Sequence, residues 1–171
     1  DFEGTGPVVS ASGDRLAFIT ERGGTWRIEV AALRSTEGAA GDPGVSVPIV
    51  IESSDPIENL ALSPEGALVT YQKRSHDNWE IFAAPTDGSR EERRVSNEIQ
   101  HDLFPRFLNG ELILAAKGEA RHRRSFVYDL RDGSVTKVFH NNSVRTIAPE
   151  YEWAAAAGGS QVVIVSERDG D

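Results

Sequence analysis

Four histidines and no cysteine leave metal-ligating and nucleophilic chemistry with few sources in this chain. Without Cys there is no disulfide framework, no thiolate zinc site and no cysteine nucleophile. The polar clusters that could do chemistry are His76-Asp77-Asn78, His101-Asp102, Arg121-His122-Arg123-Arg124 and His140-Asn141-Asn142, with Arg145 close behind. Guanidinium forks match carboxylates bidentately, so Arg121, Arg123, Arg124 and Arg145, with His76, His101, His122 and His140, are the candidate ligand-binding residues for an anionic or carboxylate ligand. The plainer reading, that loops are polar because they are wet, is preferred. No two His lie at a ligand spacing such as i, i+4, so no metal site is expected, and nothing calls for a cofactor.

Other catalytic patterns fail on their own terms. Gly158-Gly159-Ser160 lacks the Gly-x-Ser-x-Gly pattern and no helix follows it, so Ser160 reads as a turn residue and no catalytic residue is assigned. Carboxylate pairs such as Glu91-Glu92 and Glu150 with Glu152 are unavoidable in a chain with 27 acidic and 18 basic residues. A net charge of −9 argues against nucleic-acid binding, which needs a basic footprint. No apolar run approaches the ~18 residues of a membrane span, so membrane insertion is not expected.

The elements that would position these groups are strands. Short apolar runs bounded by Gly, Pro, Asp and Asn recur along all 171 residues, an all-β signature. Candidate strands are Arg15 to Thr20, Trp26 to Ala32, Val45 to Ile51, Leu68 to Gln72, Trp79 to Ala84, Glu111 to Ala116, Ser125 to Leu130, Ser134 to His140 and Gln161 to Ser166. The alanine run Trp153 to Ala157 is too short for a helix before Gly158-Gly159.

One unit returns four times: an apolar segment, a Gly turn and a nearly uninterrupted apolar strand. Taking Gly13, Gly66, Gly110 and Gly159 as markers, the spacings are 53, 44 and 49 residues. A period of ~40 to 50 with four strands per unit is that of propeller blades. Trp26 and Trp79 each lie 13 residues after their Gly, opening the next strand, and read as inter-blade packing in preference to sugar platforms. Asp87-Gly88 and Asp132-Gly133 supply hairpin turns at matching offsets. The chain is therefore expected to be an all-β β-propeller of four-stranded antiparallel blades with about three and a half blades present: blade 1 about 7-55, blade 2 about 57-98, blade 3 about 102-141 and the start of blade 4 about 146-171. Closed propellers have ~4 to 8 blades. An incomplete propeller is expected, its remainder supplied by the same or another chain, which agrees with a first residue, Asp1, that is not Met.

Ser63-Pro64-Glu65-Gly66, the strand after it, Asn78-Trp79-Glu80-Ile81-Phe82 and Asp87-Gly88 resemble the repeat of TolB-like propellers, with Glu65 where that repeat has Asp. Ser10-Ala11-Ser12-Gly13, Leu108-Asn109-Gly110 and Gly158-Gly159 match it in part. The resemblance implies a non-catalytic binding or scaffold module, a protein partner or peptide substrate, and a bacterial periplasmic or secreted setting. Its alternative is the substrate-gating propeller of a larger peptidase or hydrolase whose catalytic domain lies outside this chain. In such repeats an Asp shortly before the Pro-containing inner strand looks like a cap, which makes Asp102 structural. Blade geometry is expected to gather all four His on one face. Glu91-Glu92-Arg93-Arg94 is expected to be an exposed, charge-balanced outer strand.

Overall fold

The computed structural model describes residues 4–33, 48–97, 99–119, 123–138, 153–155 and 160–164, and all its regular elements are strands. Thr5–Val9 (β1), Arg15–Arg22 (β2), Thr25–Ala32 (β3) and Ile49–Ser53 (β4) form the first antiparallel sheet, in chain order. Ile57–Leu62 (β5), Leu68–Ser75 (β6), Asn78–Pro85 (β7) and Arg93–Arg94 (β8) form the second. Asp102–Phe107 (β9), Leu112–Lys117 (β10), Arg124–Asp129 (β11) and Val135–Lys137 (β12) form the third. Trp153–Ala155 (β13) and Val162–Ile164 (β14) pair as a two-stranded sheet. These are β-propeller blades: β1, β5 and β9 are the inner strands, and they pack against one another in succession.

The turns follow from residue type. Gly13 and Gly66 take φ of 76° and 70°, in the left-handed region that glycine enters without steric penalty. Gly66 is further constrained, because a Cβ there would stand 2.6 Å from Arg15 Cγ of the preceding blade. Ser10 and Ser63 Oγ accept the N–H of Arg15 and Leu68, respectively, across the turns. Blade three builds its turn differently: Asn109 Oδ1 accepts from the N–H groups of Glu111 and Leu112, so the Asn side chain takes over the tightening role. The Asp-Gly hairpins form as their residues dictate, with Gly88 and Gly133 at positive φ and the Asp87 and Asp132 carboxylates accepting from Ser89 and Ser134 N–H.

Packing lies between blades. On β7, Phe82 and Ala84 face blade one while Ile81 and Ala83 face blade three, as the two-residue period of a strand requires. The first interface joins Ala17, Ile19, Ile28, Val30 and Ile51 to Ile57, Leu60, Val69 and Tyr71; the second joins Ile81 and Ala83 to Phe107, Ile113, Ala115 and Tyr128. Each fully buried Ile or Val contributes about 1.5–3 kcal/mol of transfer free energy. Trp26 packs against the first of these cores, in keeping with its expected packing role.

Two expectations are corrected. Among Glu91 to Arg94, only Arg93 and Arg94 form a strand, and Glu92 turns inward, where its carboxylate accepts from the Tyr71 hydroxyl and the Lys73 ammonium. A buried phenol and a largely covered ammonium both need an acceptor, and that need outweighs solvation of Glu92. The outer strand of blade one, Ile49–Ser53, runs two residues past the expected end at Ile51, while the expected start at Val45 lies outside the described residues.

Candidate functional site

The inner strands share an irregularity at equivalent positions. Ladder register shifts between Thr5 and Val8, between Glu58 and Ala61, and between Leu103 and Arg106, so each inner strand carries a bulge. The first bulge residue is left-handed each time: Gly6 at φ 60°, Asn59 at 54° and Phe104 at 56°. Gly and Asn enter that region readily, whereas Phe does so at a cost of about 1–3 kcal/mol. Phe104 is held there by its N–H, which donates to Gln72 Oε1 of blade two at 3.1 Å, and by the Arg123 guanidinium over its ring at 5.8 Å. Arg123 stands 13 residues after Gly110, the place that Trp26 and Trp79 take after their glycines. Bulges bend strands and re-aim side chains, and they cluster next to sites.

At this end of the blades, His101 Nδ1 accepts from Trp79 N–H at 3.1 Å, and its carbonyl accepts from Gly118 N–H at 2.9 Å. His76 occupies the β6–β7 hairpin at φ 57°, three residues before Trp79. The β10–β11 hairpin brings Arg123 to Phe104, and Arg124 opens β11. Of the residues proposed from sequence, His76, His101, Arg123 and Arg124 thus lie in or beside the link and hairpins of blades two and three. Arg121, His122, His140 and Arg145 lie outside the described residues. Among the described residues, no group of three His, Asp or Glu is placed to hold a metal ion.

Beneath this surface, buried polar groups pair within blade two and within blade three. Asp102 is fully buried, and its Oδ1 accepts from Tyr128 OH at 2.5 Å. Glu80, 1% exposed, accepts from Arg94 Nη2 at 2.7 Å and from Ser96 Oγ at 2.6 Å; Ser96 Oγ in turn accepts from Ile81 N–H. Burial pushes the Asp102 carboxyl up to about 6, against the Tyr128 hydrogen bond and the Lys117 charge, while the Glu80 charge raises it and Ser96 lowers it slightly. Among the described residues, Asp102 Oδ2 has no hydrogen-bond partner, since the single Ser96 hydroxyl proton lies on Glu80. Burial, with the Glu92 contact, pushes the Tyr71 hydroxyl far above its ordinary range, so it stays a donor.

A lysine repeats beside this network. Lys73 Nζ lies 4.2 Å from the Phe82 ring centroid and Lys117 Nζ lies 4.7 Å from that of Phe126, with 44 residues separating both the lysines and the phenylalanines. In blade one the equivalent pair is Thr20 and Glu29, joined by a 2.7 Å hydrogen bond.

The residue that sequence reasoning missed is Arg106, on β9 just past the bulge. Its Nη1 donates to Pro105 O at 3.0 Å and reaches Leu60 O of blade two at 3.4 Å. Burial lowers its pKa, and no acidic neighbour among the described residues acts the other way. The dipeptides Gly6-Pro7 and Phe104-Pro105 were the available signal for the bulge.

No family model matches the chain, and no curated protein is similar to it in sequence. Solved structures are similar in fold. TolB from Acinetobacter baumannii superposes with a TM-score of 0.68 at 16% identity, over 96% of this chain and 38% of that one. A puromycin hydrolase superposes at 0.64 with 14% identity, over 95% of this chain and 25% of that one. A puromycin-hydrolyzing peptidase of Mycobacterium tuberculosis gives 0.62 at 16% identity, over 97% and 25%. The chain therefore has the TolB-like β-propeller fold and spans 38% of that TolB and a quarter of each of the two hydrolase chains.

Proposed function

We propose that the chain is a non-catalytic β-propeller module that binds a polypeptide, in a bacterial periplasmic or secreted setting. The observation that carries this reading is the inner edge. Among the described residues, β1, β5 and β9 each have a sheet partner on one side only, and they lie next to one another, each with a bulge. Such edges offer backbone donors and acceptors that an extended polypeptide can take, with side chains at the bulges to select among sequences. Polar residues around them are engaged in structural contacts, Gln72 holding Phe104 across blades two and three and Asp102 holding Tyr128 within blade three. The fold likeness to TolB supports the same reading.

Peptide selection from a random library on the intact protein tests it. Enriched peptides should lose affinity for a Phe104→Ala variant; no enrichment over a blank surface, or binding indifferent to that substitution, would overturn it. The second reading, a propeller that gates substrate for a peptidase, is supported by the fold likeness to the two puromycin-hydrolysing enzymes. It predicts turnover of an aminoacyl amide such as puromycin by the intact protein, whereas the first reading predicts none.

A further inference from the structure

We propose that Arg106 is a carboxylate-recognising side chain, presented at the inner strands of blades two and three to an acidic group of the bound polypeptide. This rests on the polypeptide-binding reading and names the chemistry of its ligand. Leu60 and Pro105, whose carbonyls Nη1 approaches, are the second residues of the bulges in β5 and β9. The guanidinium is thus laid across equivalent points of two adjacent inner strands and oriented by one nitrogen. A guanidinium carries five N–H donors in a planar fork. With Nη1 committed, the Nε and Nη2 hydrogens have no acceptor among the described residues. That edge of the fork is one that pairs bidentately with the two oxygens of a carboxylate.

Charge is the second observation. The chain has 27 acidic against 18 basic residues, and several other described cations have carboxylate partners: Arg27 with Glu52, Lys73 with Glu92, Arg94 with Glu80, and Arg131 with Asp129 and Glu111. Arg106 is half-buried, yet no described carboxylate pairs with it. Removing a cation from water without a counter-ion is unfavourable, and a neutral donor such as Gln could meet a backbone carbonyl without that penalty. A ligand carboxylate supplies the missing charge and fills the vacant edge of the fork together. The adjacent, half-buried Phe104 provides apolar surface for the rest of the ligand.

The test follows the Arg106 side-chain Nε–H signal by NMR, assigned by its loss in Arg106→Lys. Sodium acetate should shift this signal saturably, and sodium chloride at the same ionic strength should not. Three alanine tetrapeptides then compete against acetate: one with a free C-terminus, one amidated, and one amidated with a single Glu. The amidated all-alanine peptide should fail. Competition by the first assigns a chain terminus, and competition by the third assigns an acidic side chain. Arg106→Lys, checked for native circular dichroism, should weaken acetate binding, followed by backbone amide shifts, about tenfold, because it keeps the charge and loses the fork. Equal responses to acetate and chloride, or undiminished acetate binding by the folded Arg106→Lys protein, would overturn the proposal. Acetate binding with no competing peptide leaves the carboxylate site standing and removes the polypeptide reading. Tight binding of all three peptides to both proteins does the reverse.

Discussion

Replacing Asp102 with Asn should stabilise the protein at neutral pH and leave it nearly unchanged in acid. The Asp102 carboxyl is fully buried, and burial is the largest cause that lifts its pKa from 3.8 to about 6. A carboxyl whose folded pKa stands above its unfolded value favours the folded state fully below pH 3.8 and loses that contribution as pH rises to about 6. With each pH unit worth about 1.4 kcal/mol, the loss is about 3 kcal/mol by pH 7. Asn carries no charge, so it escapes the loss. Its Oδ1 can still accept from Tyr128. The assay is urea unfolding of wild type and Asp102→Asn at pH 4 and pH 8. We expect the two proteins to differ by about 1 kcal/mol or less at pH 4, and the variant to lead by about 2–3 kcal/mol at pH 8. A difference that does not change with pH would refute the reasoning. Asp102→Ala, by contrast, should be destabilised by about 1–3 kcal/mol at pH 4, since it removes an acceptor of the buried Tyr128 hydroxyl.

Three further outcomes follow from the same structure. Glu80→Gln should lower the midpoint of the Asp102 transition, because it removes a like charge, while weakening the Arg94 and Ser96 ties by about 1–2 kcal/mol; an unmoved midpoint in the pH-dependent unfolding would count against the Glu80–Asp102 coupling. Gly66→Ala should destabilise by about 1–3 kcal/mol in thermal melts, since φ of 70° and the 2.6 Å approach of Arg15 Cγ both oppose a Cβ; an unchanged melting temperature would show that the inter-blade turn tolerates one. Asp129, whose carboxylate is held down at about 2 by hydrogen bonds from the Arg131 side chain and backbone N–H, should titrate closer to 3.8 in Arg131→Ala, which keeps only the backbone donor; carbon-detected NMR titration reads this directly, and an unmoved midpoint would contradict the assignment.

The blade register was legible because backbone demands expose themselves in residue type. Gly13, Gly66, Gly88 and Gly133 all sit at positive φ, and the tryptophan offset located β3 and β7. The inner strands were harder to see. Thr5–Val9 and Ile57–Leu62 are short and bulged, so neither alternation nor a continuous apolar run survives in them. The polar core was hidden for a different reason: Thr70, Gln72, Glu80 and Lys117 are buried between blades, and a charged residue within a strand reads as solvent-facing until the neighbouring blade is in place. Glu92 misled in the same way, because its partners Tyr71 and Lys73 are 21 and 19 residues distant in sequence. At the candidate site, the histidines and arginines were visible as types, but Arg106 was not singled out. Its meaning depends on two bulges 45 residues apart in sequence that only the fold brings together.

Hydrogen–deuterium exchange of the intact protein, with and without a peptide from the selection, reaches the central claim most directly. We expect added protection concentrated in Ile57–Leu62 and Asp102–Phe107, around the bulges at Asn59 and Phe104. Protection confined to the outer strands Ile49–Ser53, Arg93–Arg94 and Val135–Lys137, with the inner strands unchanged, would contradict polypeptide binding at the inner edge.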